Sequence, residues 1–448
     1  MPCIIKKNKI DDQDRINYLG YLPSEWVKIA AYKLEERMKN NWRISDRKIK
    51  SDIDINPTAN VHLTAILEGN IKIGAYTQVG AGSILVGDIK IGNYTNITLN
   101  TVIKGVVTIG DTTHIYDNVL IDGSRKPDVE IQLKKSIESI EIGNSCWLNH
   151  GCAIRGCDVE DTGAVAIAAV CDYNTHIGRG GILANLSATS IDQYIPENCF
   201  AEGVPAVIKN RNIIDEDRHD YFGLIPKVWA AYCKVKFENK SAEKQITKNL
   251  KLDEMCFIHP KAWLEGNVSV GPYTYIDAGT IISGDVTIGH HTLLRCNVSV
   301  RGKIKIGDYT HIYDQVNIES GRPGNYEGSV TCKVPDEAVI GNGCWINHGC
   351  TMHGTKVDDG GAVNIGACCD YNTYVGKGAI VGNHSSTNVN QVVSNNCQVV
   401  GVPSAVVKKF ITEHDRHCYF GLKPSGWTKE EGKWNENLIL SMKKETHV

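Results

Sequence analysis

The chain has 448 residues, 42% of them hydrophobic and 22% charged, with a formal net charge of −3. That length exceeds what one compact domain usually holds, so two or more units are expected. The near-neutral balance excludes a broad basic surface for nucleic acid or an anionic membrane, and no apolar run is long enough to span a bilayer. The opening segment, MPCIIKKNKIDDQDR, lacks the apolar stretch of a secretory signal, which makes a cytoplasmic protein the expectation. Sixteen cysteines are scattered without a CxxC pair, so they read as free buried thiols rather than disulfides or a metal site.

Residues 1–55 form an N-terminal segment in which DRINYLGYLPSEW, Asp14 to Trp26, precedes a stretch with helical apolar spacing. Over 56–212 an apolar residue then recurs at every sixth position, from Val61 and Leu67 through Ile97 and Ile103 to Ile121. A period of six is neither the 3.6 of a helix nor simple strand alternation. It fits short strands joined by tight turns around a triangular coil. Glycine-rich turns such as IGAYTQ and IGDTTH supply the backbone freedom that such corners need. After Ile121 a long loop interrupts the series, which resumes at Ile142, Leu148 and Ile154, slips to five residues at Val159, and returns to six through Ile177 and Leu183.

A linker, 213–252, carries DRHDYFGLIPKVW from Asp217 to Trp229 and a second helical stretch. The sixfold series then starts again over 253–410, from Ile258 through Ile318, each member 197 residues after its counterpart in the first series. The two halves are therefore copies in register. A second loop follows Ile318, and the series resumes at Ile340, Ile346 and Met352 before slipping to Val357. A C-terminal helical segment, 411–448, brings the third copy of the aromatic motif, DRHCYFGLKPSGW from Asp415 to Trp427. These three motifs read as packing elements that cap an exposed coil or seat a helix against it. Glu68 and Glu265, which correspond in the two copies of LEGN, read as turn residues.

Two sixfold helices, each closing on a GVP motif (EGVPAVIKNR and VGVPSAVVKK), resemble the hexapeptide-repeat superfamily. The resemblance implies a mainly β fold: two tandem left-handed parallel β-helices with flanking α-helices. That superfamily includes acyltransferases and the gamma-class carbonic anhydrases. The segment IGNGCWINHGCTMHG, with His348 and His353 five apart, is similar to the metal motif of the gamma class, whose three histidine ligands lie at the boundary between subunits of a trimer. The position of the first of those histidines is taken by Glu319. The resemblance thus implies a metal set of Glu319, His348 and His353, suited to zinc and also to iron(II). At the corresponding places the first half has Asp122, His150 and Arg155, and an arginine repels a cation. The second half is therefore expected to hold the working site.

Around it the resemblance suggests Arg301, in VRGK, together with His311 and Tyr313, which occur in both halves as His114 and Tyr116. His384, in VGNHSSTN, has no histidine counterpart in the first half and is a candidate acid or base, or a surface residue. The leading expectation is a metal-dependent lyase or hydrolase of gamma-carbonic-anhydrase type, acting on a small-molecule substrate that need not be carbon dioxide. The alternatives are a CoA-dependent acyltransferase with His150 or His348 as base, and an assembly protein without catalysis. A homotrimer is the assembly that the resemblance implies.

Overall fold

The computed structural model describes residues 11–14, 52–123, 139–222, 248–320, 337–420 and 424–445, with isolated helical positions between 230 and 238. The loops that follow Ile121 and Ile318 lie for the most part outside these residues, as does most of the N-terminal segment with its aromatic motif.

The sixfold series builds coils of eighteen residues. Ile66–Ile73 pairs in parallel with Ile84–Ile91, and that strand with Val102–Ile109, each residue opposite the one eighteen further on. Each of these strands is bent by a glycine at its middle, so one strand forms two sides of the triangle. A two-residue strand such as Gln78–Val79 forms the third. The bend needs glycine because Gly69, Gly87 and Gly105 stack directly. All three have positive φ, and a Cβ on Gly87 would stand 2.1 Å from the carbonyl oxygen of Gly105. The five-residue slip appears as a coil one residue shorter, in which Ile142 pairs with Val159 and Trp147 with Ala164.

Inside each triangle the periodic residues form a continuous stack. Leu85, Ile103, Ile121 and Ile154 are fully buried in the N-terminal helix, and Ile282, Val300, Ile318 and Met352 are buried in the C-terminal one. Polar groups at the inner corners are satisfied by a threonine ladder: Thr77, Thr95 and Thr113 donate to the carbonyls of Gly92, Gly110 and Gly143 at 2.6–2.8 Å. Ten of the twelve cysteines found free among the described residues are buried, several within these stacks, where burial pushes the Cys146 and Cys344 thiols up to about 12. The expectation of free interior thiols holds for these residues.

Each helix ends in an antiparallel hairpin formed by its GVP motif, Cys199–Gly203 with Ala206–Arg211 and Gln398–Gly401 with Ser404–Lys408. The arginine near the start of the aromatic motif that follows then reaches that last coil. Arg218 is buried and donates to Gly180 O and to Asn198 Oδ1, both at 2.7 Å, and Arg416 repeats the contacts with Gly378 and Asn396. The aromatic anchors expected to do the packing lie outside the described side chains; in two of the three motifs the arginine makes the contact that is described. The terminal helix Pro424–Glu445 runs against the C-terminal β-helix, with Asn435 and Ile439 buried and Gly432 against the rings of Tyr309 and His291.

The two β-helices lie side by side along a seam that joins coil to corresponding coil. From one end to the other it contains His62 with Glu265 (3.0 Å), Asn100 with Ser299 (3.1 Å), Asn118 with Asn317 (2.6 Å) and Asn185 with Ser386 (3.2 Å). An apolar patch of Ala81, Leu99, Ile281 and Trp263 fills part of it. Glu265 is therefore no turn residue: it lies in the strand Trp263–Val270 and ties the seam through His62, Ser283 and the Trp263 indole.

Candidate metal centre

Two neighbouring coils of the C-terminal helix place Glu319 and His353 next to each other, because Asn317–Glu319 pairs in parallel with Thr351–His353 and Glu319 stands opposite His353. Both side chains leave the apolar stack and point into the seam. The residue that meets them there is His150 of the N-terminal helix. One donor atom from each of His150, Glu319 and His353 lies within 4.8 Å of the other two, and all three residues are buried. Among the described residues this is the one such group of three.

His348 is the correction. It is about half exposed, with Nδ1 3.2 Å from Asp314 Oδ2, and takes no part in the cluster. Its counterpart His150 does, because the seam is heterologous: the same face points inward in the N-terminal helix and outward in the C-terminal one. The first half is thus not a bystander, as its Arg155 suggested, but supplies one of the three donors.

Arg301 bridges the two helices at this cluster. Its Nη2 is 2.9 Å from Glu319 Oε2 and 3.4 Å from Asp117 Oδ2, a carboxylate of the opposite helix. Glu319 Oε2 also accepts from His150 Nε2 at 3.0 Å, and His150 Nδ1 is 3.6 Å from Asp117. Burial by itself would raise both carboxyls, but the Arg301 guanidinium and His150 outweigh it and hold Glu319 and Asp117 below the ordinary carboxylate range. One guanidinium and two carboxylates leave a net negative charge of one before any histidine is protonated, so the cluster attracts a cation despite Arg301.

Aromatic rings wall the centre. The His150 ring lies 4.4 Å from that of Tyr116 and 4.5 Å from that of His353, which is 4.5 Å from Tyr371. The hydroxyls of Tyr116 and Tyr371 approach to 3.4 Å across the seam, and burial raises Tyr116 well above its ordinary value, keeping it protonated.

His311 and Tyr313 are not at this wall. They pack with Trp345 on the other face of the C-terminal helix, and burial, with Arg295 adding, pushes His311 down to about 3. Their counterpart Tyr116 holds the place beside the cluster, for the same reason that His150 does. His384 is exposed at a corner with φ 47°, outside the cluster. The residues that sequence reasoning missed are His150, as a member of the cluster, with Asp117, Tyr116 and Tyr371. Their signal was present, since His150 was recognised as the copy of His348, but which copy faces inward is a property of the seam.

No family model and no curated protein matches the chain. Solved structures similar to it include a hexapeptide transferase family protein from Anaplasma phagocytophilum, 18% identical over 43% of this chain and 93% of that one, with a TM-score of 0.29. A putative acetyltransferase from Bacillus cereus is 16% identical over 43% and 98%, TM-score 0.27. A UDP-N-acetylglucosamine acyltransferase from Campylobacter jejuni is 18% identical over 44% and 92%, TM-score 0.24. No described helix is long and apolar enough to cross a membrane. The sixfold series, the parallel eighteen-residue coils and their hairpin closures make this chain a tandem protein of the hexapeptide-repeat, left-handed β-helix fold.

Proposed function

We propose that the protein is a metalloenzyme whose centre is formed between its own two β-helices, with His150, Glu319 and His353 holding one divalent cation. The observation that carries this reading is the convergence of two imidazoles and a carboxylate, buried and contributed by both halves, within 4.8 Å. Two nitrogen donors and one carboxylate suit catalytic zinc first and iron(II) second. A cation held there supplies a Lewis acid that makes bound water acidic near neutral pH. The chain does the rest. Arg301 and Asp117 fix the Glu319 carboxylate and keep it ionised, while Tyr116, held protonated by burial, and the Tyr371 hydroxyl beside it offer hydrogen bonds to a small substrate and its developing negative charge. Hydration or hydrolysis of a small electrophile, as in the gamma-class carbonic anhydrases, is the reaction this arrangement supports.

Metal analysis of the purified full-length protein tests it. The expectation is one zinc or iron per chain, reduced to near zero in His150→Ala and in His353→Ala and unchanged in His348→Ala. A parent protein without metal, or a loss caused by His348→Ala, would sink the reading.

A second reading, acyl transfer, has one observation in its favour. His348 is accessible and its Nδ1 is oriented by Asp314 at 3.2 Å, the geometry of an oriented general base. Here His348→Ala would abolish turnover of an acyl-CoA, whereas in the metal reading it leaves activity and metal content intact, so the same variant separates the two readings.

A further inference from the structure

The seam is heterologous, and among the described residues it leaves each β-helix with one face whose counterpart is used and which is itself unused. On the N-terminal helix, Asn100 and Asn118 pair with Ser299 and Asn317. The counterparts of the first pair, Asn297 and Gln315, lie on the outer side of the C-terminal helix, and those of the second, Val102 and Leu120, on the outer side of the N-terminal helix. The difference in burial is large. The Asp117 and His150 side chains are 1% and 0% exposed within the seam, while their counterparts Asp314 and His348 are 35% and 46% exposed. In the other direction, Glu319 is 4% exposed and its counterpart Asp122, paired with Lys104 at 2.9 Å, is 19% exposed.

These two unused faces do not diverge. Val102, Leu120, Asn297 and Gln315 line one groove of about 480 Å³, whose floor is the seam itself at Asn118 and Asn317. A body filling it touches the N-terminal helix at the positions that the C-terminal helix uses in the seam, and the C-terminal helix at the positions that the N-terminal helix uses. Only a third β-helix of the same kind satisfies both contacts by repeating a contact the chain already makes, and it closes a ring of three.

We propose that this groove is the docking site of a single hexapeptide-repeat β-helix carried by a different polypeptide. A second copy of this chain does not fit. If its N-terminal helix took the vacant place, its own seam would bring its C-terminal helix onto the ground that the first chain's N-terminal helix occupies, and the converse docking collides in the same way. The occupant is therefore one β-helix and not two. Its ligating coil meets His348 and Asp314, and its outer histidine face meets Lys104, Asp122 and Arg155.

The test places a photo-cross-linking phenylalanine analogue at Leu120 or at Gln315 of the full-length protein in the cells that make it. Aromatic side chains already stand at left-handed corners like that of Gln315, as Tyr76 and Tyr94 show, and unchanged circular dichroism of each variant confirms folding. The expected result is that both positions cross-link to one and the same polypeptide, shifted in mass by a single β-helix, whose sequence carries one sixfold apolar series. The purified chain alone is expected at the mass of one copy, 49.3 kDa. Cross-links to a second copy of this chain, to two unrelated proteins, or to none at either position because a small ligand fills the groove, would overturn the proposal.

Discussion

Glu265 shows how much one side chain contributes when it stands between two helices. Burial would raise its carboxyl, but hydrogen bonds from His62, Ser283 and the Trp263 indole outweigh that and bring it down to about 2. Its ordinary value is about 4.3. A depressed folded value stabilises the native state above the unfolded value and loses that stabilisation as the pH falls toward the folded one. Chemical denaturation of the parent and of Glu265→Gln is therefore expected to show the parent more stable at pH 6, with the gap closing between about pH 4 and pH 2. A gap that stayed constant over that range would mean the carboxylate contributes through packing alone. Legibility at this scale was uneven. Glu319, His353 and Arg301 were found because they stand opposite one another on successive coils of one copy, where sequence separation translates directly into register. His150 and Tyr116 were not, because their sequence neighbourhood is nearly the same as that of His348 and Tyr313. What separates the two sets is the partner each face meets across some two hundred residues of chain.

At the scale of the coil, almost everything was legible, since a strict period of six leaves the backbone one way to bury its apolar residues on the inside of every turn. The eighteen-residue register and the shortened coil at the five-residue slip both follow from counting. The corners were less so. Tyr76, Tyr94, Asn118 and His291 all adopt left-handed backbone at corners, and residues of such different character are chosen for what they touch outside the coil, which no local pattern records. The glycine corner is where sequence and geometry are bound most tightly. Gly87→Ala would drive a Cβ to 2.1 Å from Gly105 O at a φ of 136°. The expected cost is roughly 2 kcal/mol or more, read as a lowered denaturation midpoint. An unchanged midpoint would show that the stacked corner relaxes freely, contrary to the tight ladder on either side of it.

At the scale of the whole molecule, the proposed metal centre requires the two β-helices to hold their relative position, because its three candidate donors come from both. The dry part of the seam is what sets that position. Ile281 is 3% exposed there, against Ala81, Leu99 and Trp263, two coils away from Glu319 in the stack of paired strands. Its counterpart in the N-terminal helix, Ile84, lines the open groove. The two isoleucines thus share a place in the repeat and differ in what they face. Ile281→Asp would bury an unpaired carboxylate in the seam, at a cost of several kcal/mol, and the cheapest relief is for the helices to part. His150 would then draw away from Glu319 and His353 with no change to any donor. Metal content of purified Ile281→Asp is expected to fall severalfold, while Ile84→Asp, placed in water at the groove, keeps the metal of the parent. Equal loss in both variants would mean that the coils and not the seam were damaged. Retention in both would mean that the three donors are held by something other than the packing of one β-helix on the other.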